Sequence, residues 1–82
     1  MRSTTDTLIF VTGRYCHLCE RGRDVLAGLG VCAREIDVYG DEAASLAARG
    51  VALSFLPVLT DGVRVLGYGR FSERRLRKEL GL

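Results

Sequence analysis

An uninterrupted apolar run near the start of the chain constrains the fold more than any other feature. Leu8-Ile9-Phe10-Val11 contains no polar residue and is flanked by threonines. Such a run is typical of a strand that is buried on both faces, as in a parallel sheet. Gly13 ends the run. We therefore predict a strand over residues 8 to 11, followed by a short loop that leads to Cys16.

The residues after Cys16 have the spacing of an amphipathic helix. The positions that share its apolar face are Leu18, Gly22, Val25 and Leu29, with Leu26 beside them. A glycine at position 22 would let this helix approach the sheet closely, and Gly30 is positioned to cap its C-terminus. Residues 32 to 38 predict a second strand. Strand, helix and strand then form a βαβ unit with parallel pairing and a right-handed crossover.

The second half of the chain predicts a short helix, a hairpin and a final helix. The expected bounds are residues 41 to 49 for the helix, 58 to 60 and 63 to 66 for the strands, and Ser72 for the start of the last helix. Asp61-Gly62 is a strong signal for a two-residue hairpin turn. Because a separate hairpin is barely stable, it must join the βαβ strands in one sheet. The predicted fold class is α/β, in the order β-α-β-α-β-β-α with a four-stranded mixed sheet.

The start of the last helix carries two stabilising signals. Ser72 can cap the helix N-terminus with its side chain. Phe71 before this cap and Leu76 after it occupy the positions of a hydrophobic staple. We therefore expect the helix to begin at this point, with Leu76 and Leu80 facing the core.

Length and charge bound the classes of protein to which the chain can belong. Its 82 residues suffice for one small domain, predicted to span residues 1–82. The formal net charge of +2 is too small to indicate nucleic acid, and no apolar run approaches the length of a membrane span. Residues 1 to 6 lack the apolar core of an export signal. We expect a monomer with no nucleic-acid or membrane partner.

The number and spacing of the cysteines indicate the cellular compartment in which the chain is expected. The chain has three cysteines, whereas a small secreted scaffold usually has an even number. Cys16 and Cys19 lie close together, and Cys32 stands apart. This pattern favours a cytosolic redox or metal protein over a disulfide scaffold, so we expect a cytoplasmic location.

The motif Cys16-His17-Leu18-Cys19 carries the chemistry of the chain. Two cysteines three positions apart at the start of a helix are neighbours on its surface, so they can close a small disulfide ring. The first lies at the helix N-terminus, where free backbone N–H groups and the macrodipole favour a thiolate. The second lies one turn further and is more buried. We predict that Cys16 is the nucleophile and that Cys19 resolves the mixed disulfide.

There are two alternatives to a redox pair, and the positions of His17 and Cys32 help to judge them. Cys16 and Cys19 could be two unreactive thiols on a structural helix, or they could be half of a zinc site, which usually needs four protein ligands. His17 diverges from Cys16 on the helix, and Cys32 is expected at the opposite end of the sheet, roughly 17–20 Å away. Cys32 is therefore predicted to be a half-buried small apolar residue. His17 either stabilises the thiolate or is an exposed residue without a role.

Several motifs join the dithiol in one known pattern. They are Leu8–Val11, Tyr15-Cys16-His17-Leu18-Cys19-Glu20, Ile36-Asp37-Val38, Leu56-Pro57-Val58-Leu59, Asp61-Gly62 and Gly69-Arg70-Phe71. With these motifs the chain resembles the glutaredoxin-like branch of the thioredoxin superfamily over nearly its whole length. It is particularly similar to small bacterial glutaredoxin-like proteins with a Cys-His-Leu-Cys site. The resemblance implies a thioredoxin/glutaredoxin-like fold.

The resemblance also implies residues that bind the substrate. It implies that Pro57 follows a cis peptide bond, faces the dithiol and blocks metal binding there, and that the backbone of Leu56 contacts the substrate. Without it, Pro57 is simply a proline that opens a strand. Gly67 matches the first glycine of a family Gly-Gly pair. The expected substrate-binding set comprises these three residues, Leu56, Pro57 and Gly67, together with Tyr15 and His17, which flank Cys16.

The chain departs from the family at the residues that bind glutathione. Gly13 and Arg14 stand where a lysine is usual, and Phe55-Leu56-Pro57 replaces Thr-Val-Pro. Tyr68 replaces the second glycine of the pair, and the acidic residue that follows is missing. The resemblance therefore gives no support for glutathione as co-substrate, and we expect no cofactor.

The function that these observations predict is a thiol–disulfide oxidoreductase. It would act on a protein or low-molecular-weight disulfide through Cys16 and Cys19, with an unknown reductant. One alternative is a non-catalytic adaptor with an inert dithiol. Another is a carrier of a metal or an iron–sulfur cluster.

Overall fold

The computed structural model describes residues 8–82 of the chain. Residues 1–7 lie outside the described part, and so does the expectation that residues 1 to 6 hold no export signal. Within residues 8–82, strands and helices follow one another in the predicted order. They are β1 (Ile9–Thr12), α1 (His17–Gly28), β2 (Arg34–Asp37), α2 (Asp41–Ala48), β3 (Val58–Thr60), β4 (Val65–Tyr68) and α3 (Glu73–Leu80). In this part of the chain, no helix has the length and hydropathy that crossing a membrane requires.

The strands form one mixed sheet in the order β2-β1-β3-β4. β1 runs parallel to β2, with Thr12 opposite Asp37. It runs antiparallel to β3, with Val11 opposite Val58, and β3 runs antiparallel to β4. The predicted four-stranded mixed sheet and its parallel βαβ unit are therefore confirmed.

Both faces of the sheet pack against buried apolar residues of the helices and loops. The layer that includes α1 and α3 comprises Leu8, Phe10, Leu26, Val31, Leu59, Leu66, Phe71 and Leu76. The layer that includes α2 comprises Ile9, Val11, Ala43, Leu46, Val51 and Val58. Alternate residues of β1 point into opposite layers. Every residue of β1 is therefore buried, as the apolar run predicts.

Gly22 lets α1 lie directly on the sheet. A Cβ atom at this position would be 3.1 Å from Cζ of Phe10 and 3.2 Å from Cγ of Pro57. Both neighbours are rings in buried positions, which yield less easily than a flexible side chain. The predicted close approach of the helix at Gly22 is confirmed.

The two signals at the start of α3 are both present. The Ser72 side chain accepts a hydrogen bond from the backbone N–H of Arg75 at 3.3 Å and thereby caps the helix. Phe71 and Leu76 are buried in the same layer of the core, as a hydrophobic staple requires. The start of the helix is thus stabilised by a polar and an apolar contact.

The hairpin between β3 and β4 differs from the prediction. Thr60 pairs with Val65, so the loop comprises residues 61–64 rather than two residues, and β4 begins at Val65 rather than at residue 63. The Asp61 side chain accepts hydrogen bonds from the N–H groups of Val63 and Arg64 at 2.9 and 2.8 Å. Gly62 has a φ of +97° within this loop. These side-chain contacts stabilise a longer loop than the dipeptide alone predicts.

Asp61→Ala is expected to destabilise the protein by about 1–2 kcal/mol at pH 7, because it removes an acceptor of two loop N–H groups. The backbone N–H of Arg64, and then that of Val63, hold the pKa of Asp61 below its ordinary value. A lowered pKa means that this stabilisation is present above the unfolded-state value of about 3.9 and is lost as the pH falls through the folded-state pKa. Urea unfolding of both proteins at pH 7 and pH 3 measures it. If Asp61→Ala and the unmodified protein are equally stable at pH 7, this account is contradicted. It is also contradicted if Asp61→Ala and Asp61→Asn lose the same stability and neither loss depends on pH.

Candidate dithiol site

Cys16 is the residue that caps the N-terminus of α1. Its backbone is extended, and its Sγ atom accepts a hydrogen bond from the backbone N–H of Cys19 at 3.1 Å. The sulfur therefore occupies the place that a serine or aspartate oxygen takes at other helix starts. Backbone N–H groups and the positive end of the helix macrodipole favour negative charge at this position.

The two sulfur atoms of the motif have unequal surroundings. Cys16 and Cys19 lie at disulfide-bonding distance, with their Cα atoms 5.2 Å apart, in the usual range for a disulfide. Only 1% of Cys19 is exposed, whereas Cys16 is half-buried. The order of exposure predicted from the sequence is confirmed. Cys16 is therefore more accessible to solvent than Cys19.

Tyr15 immediately precedes Cys16 in a turn. Its φ of +54° lies in the left-handed region, which a tyrosine rarely adopts. Its side chain is fully exposed, so no packing contact holds it there. The turn leads from the loop after β1 to the first residue of the helix cap.

The segment Leu56-Pro57 lies against both sides of the dithiol motif. Its peptide bond is cis, as the family resemblance implies. Pro57 is buried and contacts α1 at Gly22, one turn beyond Cys19. A Cβ atom on Gly13 would lie 2.8 Å from Cδ1 of Leu56, so Leu56 packs on the loop that leads to Cys16. The structure thus brings this segment to the same end of the sheet as the dithiol.

The remaining two predicted substrate-binding residues have different positions. His17 is exposed, and its Nδ1 atom lies 3.7 Å from Oε2 of Glu20. Gly67 lies in β4 and pairs with Leu59 in β3. β3 separates β4 from β1 in the sheet. A Cβ atom on Gly67 would be 3.1 Å from Leu76, so the packing of α3 accounts for a glycine at this position.

Cys32 is exposed, which corrects the prediction of a half-buried residue. It precedes β2 rather than starting it, because β2 begins at Arg34. Outside the strand, its side chain is not held by the alternation of a pleated sheet. Since β1 and β2 are parallel, Cys32 lies before the start of one strand and Cys16 lies beyond the end of the other. The predicted separation to opposite ends of the sheet is therefore confirmed.

A polar contact that the sequence does not predict joins α1 to the sheet. Arg23 donates two hydrogen bonds to the carboxylate of Glu35 on β2, at 2.8 and 2.6 Å. The hydroxyl of Thr12 donates to the same carboxylate at 3.2 Å. The guanidinium of Arg23 holds the pKa of Glu35 below its ordinary value. These residues are remote in sequence, so only the fold brings them together.

The described residues around the dithiol can be compared with the side-chain sets that bind metal ions. Within residues 8–82, no three side chains among His, Cys, Asp and Glu converge so that they could hold a metal ion. A metal at Cys16 and Cys19 would need further ligands from a second chain or from residues 1–7. The hypothesis of a metal carrier therefore requires ligands in addition to those that residues 8–82 supply.

Comparisons of the chain with protein-family models, curated proteins and solved structures found no match. The geometry of the dithiol is therefore the basis for its functional assignment. That geometry comprises a helix-capping thiol, a buried partner one turn away and a proline segment beside them.

Proposed function

We propose that this chain is a thiol–disulfide oxidoreductase with a thioredoxin-like arrangement of the glutaredoxin type. The observation that carries the proposal is the pair of cysteines at the start of α1. Cys16 caps the helix with a partly exposed sulfur, and Cys19 lies at disulfide-bonding distance and is buried. A nucleophilic thiol and a resolving thiol require these two environments.

The reduced site would transfer two electrons to a substrate disulfide. The Cys16 thiolate attacks one substrate sulfur, so an S–S bond forms between enzyme and substrate and the substrate S–S bond breaks. The departing substrate sulfur takes up a proton. The Cys19 thiol then loses its proton and attacks Sγ of Cys16, which releases the second substrate thiol. The substrate is reduced to two thiols, the site is oxidised to a disulfide, and an external thiol reductant restores it.

The segment before β3 supports the proposal by its placement. Leu56 and Pro57 pack on the loop before Cys16 and on α1 after Cys19. Leu56 is partly exposed, and we propose that its backbone binds a substrate segment. We infer a reducing compartment such as the cytoplasm, because the exposed thiol of Cys32 would be liable to oxidation elsewhere.

Alkylation of the reduced protein across a range of pH tests the proposal. We expect the alkylation rate of Cys16 with iodoacetamide to be half-maximal below pH 8.5, the approximate value for a free thiol. Peptide mass spectrometry would resolve the rate for each cysteine, with the exposed Cys32 as internal comparison. A redox titration should then link Cys16 to Cys19.

Two outcomes would contradict the proposal. If Cys16 reacts no faster than Cys32 at pH 7, the dithiol is inert and the chain is better explained as a non-catalytic adaptor. Stoichiometric zinc or iron in protein purified under reducing conditions would instead favour the metal or iron–sulfur carrier.

A further inference from the structure

The two edge strands of the sheet differ in how their open sides are protected. The sheet order makes β2 and β4 the edges. Three of the four residues of β2 are charged, and charged side chains are a common device that keeps a strand edge from pairing with another chain. The four residues of β4 are Val-Leu-Gly-Tyr and include no charged side chain. β4 is therefore the edge without this protection.

The backbone of Tyr68 faces the open side of β4. The N–H of Gly69 donates to the carbonyl of Pro57 at 2.9 Å, and Gly67 lies opposite Leu59. In an antiparallel pair, residues that bond to the partner strand alternate with residues whose backbone groups point away from it. Gly69 and Gly67 thus face β3, and the N–H and C=O of Tyr68 between them point outward. The irregularity in this strand pair lies between Gly67 and the hairpin, so it does not alter this alternation.

A cavity of about 290 Å³ borders this strand edge. It lies between β4 and α3, and the residues around it include Val65, Arg70, Arg75, Leu76 and Glu79. Neither the two cysteines nor the proline segment is part of its wall. Successive side chains of a strand point to opposite faces of the sheet, so a segment added to β4 would direct every second side chain towards this cavity.

The charge around the cavity is positive. Arg70 and Arg75 are exposed, and neither makes an ion pair with another residue in the described part of the chain. Among the described residues, Glu79 is the only acidic one around the cavity, and Arg64 lies 3.8 Å from its carboxylate. Five of the 12 lysines and arginines fall between positions 70 and 78, and the single acidic residue among them pairs with Arg77. The cavity therefore complements negatively charged side chains.

These features distinguish a polypeptide from other anionic partners. A nucleic acid or a lipid headgroup could contact the arginines, but only a polypeptide backbone pairs with the N–H and C=O groups of a strand edge. Leu76 and Leu80 of α3 pack in the core, so this helix has no apolar face left to insert into a membrane. A second copy of this chain, paired at the same edge, would bring its own arginines to the same cavity, where like charges repel.

We propose that β4 accepts an extended polypeptide segment of a partner protein as a fifth strand, with acidic side chains that enter the cavity beside Arg70 and Arg75. The segment alternates acidic residues with uncharged ones. Its acidic side chains all face α3, because alternate residues of a strand share one face. The surface is separate from the two sulfur atoms, so the interaction does not depend on the proposed oxidoreductase function.

Three synthetic peptides of seven residues test the inference with the full chain. The first has the sequence Thr-Glu-Val-Glu-Val-Glu-Thr, and the second has glutamine in place of each glutamate. The third is the first peptide with N-methyl groups on two adjacent central residues. One of any two adjacent N–H groups faces the paired strand, so the third peptide keeps its charge but loses the pairing.

Fluorescence anisotropy measures the Kd of each labelled peptide. We expect the first peptide to bind about tenfold more tightly than either of the others, which is within the range that two exposed ion pairs or one to two hydrogen bonds give. The variant Arg70→Gln/Arg75→Gln should reduce the preference for glutamate over glutamine from about tenfold to about onefold. Arg21→Gln/Arg49→Gln is the matched control and should keep it near tenfold, because it removes the same charge from two exposed arginines on α1 and at the end of α2.

Amide hydrogen exchange locates the added strand. With the first peptide bound, exchange of the Tyr68 N–H should slow by at least about tenfold, because this group points to the open edge. The N–H of Gly69 already donates to Pro57 and serves as the internal comparison, with an unchanged rate.

Equal affinity for the first peptide and either of the others, or unchanged exchange at Tyr68, would overturn the inference. Tighter binding of a single-stranded RNA oligonucleotide or of anionic phospholipid vesicles than of the first peptide would overturn it as well. Dimerisation of the unmodified protein that the first peptide reverses would show that a second copy occupies the edge, and would likewise contradict the proposal. Alkylation of Cys16 tests the oxidoreductase separately from all of these outcomes.

Discussion

Replacing Cys16 by serine is expected to abolish disulfide reduction by the proposed oxidoreductase. The sulfur of Cys16 caps α1, and Cys16 is the more exposed residue of the pair, so the proposal assigns the attack on a substrate disulfide to this atom. A serine hydroxyl can still cap the helix, so the fold should be retained. The hydroxyl is not ionised near neutral pH and cannot attack the disulfide. Turnover of a small disulfide such as hydroxyethyl disulfide, together with a circular dichroism spectrum, measures both effects.

Cys19→Ser provides the matched comparison at the other sulfur. Cys16 still attacks, but no second thiol lies within reach to release the substrate. We expect a mixed disulfide to accumulate, visible as a mass increase that a reductant reverses. If Cys16→Ser turns over normally, or if Cys19→Ser accumulates no adduct while Cys16→Ser does, the assigned roles are wrong.

Phe10→Ala is expected to cost about 3–5 kcal/mol of the free energy of unfolding. Phe10 is almost completely buried, and its ring contacts Phe71 edge to face with centroids 5.7 Å apart. The same ring packs against α1 at Gly22. Total stabilities of about 5–15 kcal/mol are usual for small proteins, so this loss is a large share of the total.

Urea unfolding monitored by circular dichroism measures this loss. Phe55→Ala is the matched control, since the same residue type at an exposed position should change stability by no more than about 0.5 kcal/mol. A loss below about 1 kcal/mol for Phe10→Ala, or equal losses for the two variants, would contradict the assignment of Phe10 to the core.

The element order could be predicted because its signals are local. The apolar run of β1, the glycine on the inner face of α1 and the serine cap of α3 each act within a few residues. Local signals of the same kind predict that Cys16 lies at the start of a helix and that Cys19 lies one turn inside it. The parallel pairing of β1 and β2 could be predicted because a helix between two strands returns the chain to the end of the sheet at which the first strand begins.

The deviations from prediction arise where side-chain contacts and the exact strand ends decide the outcome, because the apolar pattern does not report either of them. The loop after β3 is longer than two residues because the side chains of Thr60 and Asp61 bind backbone groups across it. Cys32 is exposed because β2 starts two residues later than the apolar pattern indicates. The contact between Arg23 and Glu35 could not be predicted at all, because it joins α1 to β2 and only the fold brings the two residues together.

Gly22 limits how this protein can change by mutation. Its Cα lies where a single added carbon would meet Pro57 on one side and the ring of Phe10 on the other. A substitution there would shift the core and the proline segment together. A mutation at this position therefore cannot change the core without also moving the segment beside the dithiol, so variants that alter the surroundings of the dithiol alone must arise in the exposed loops.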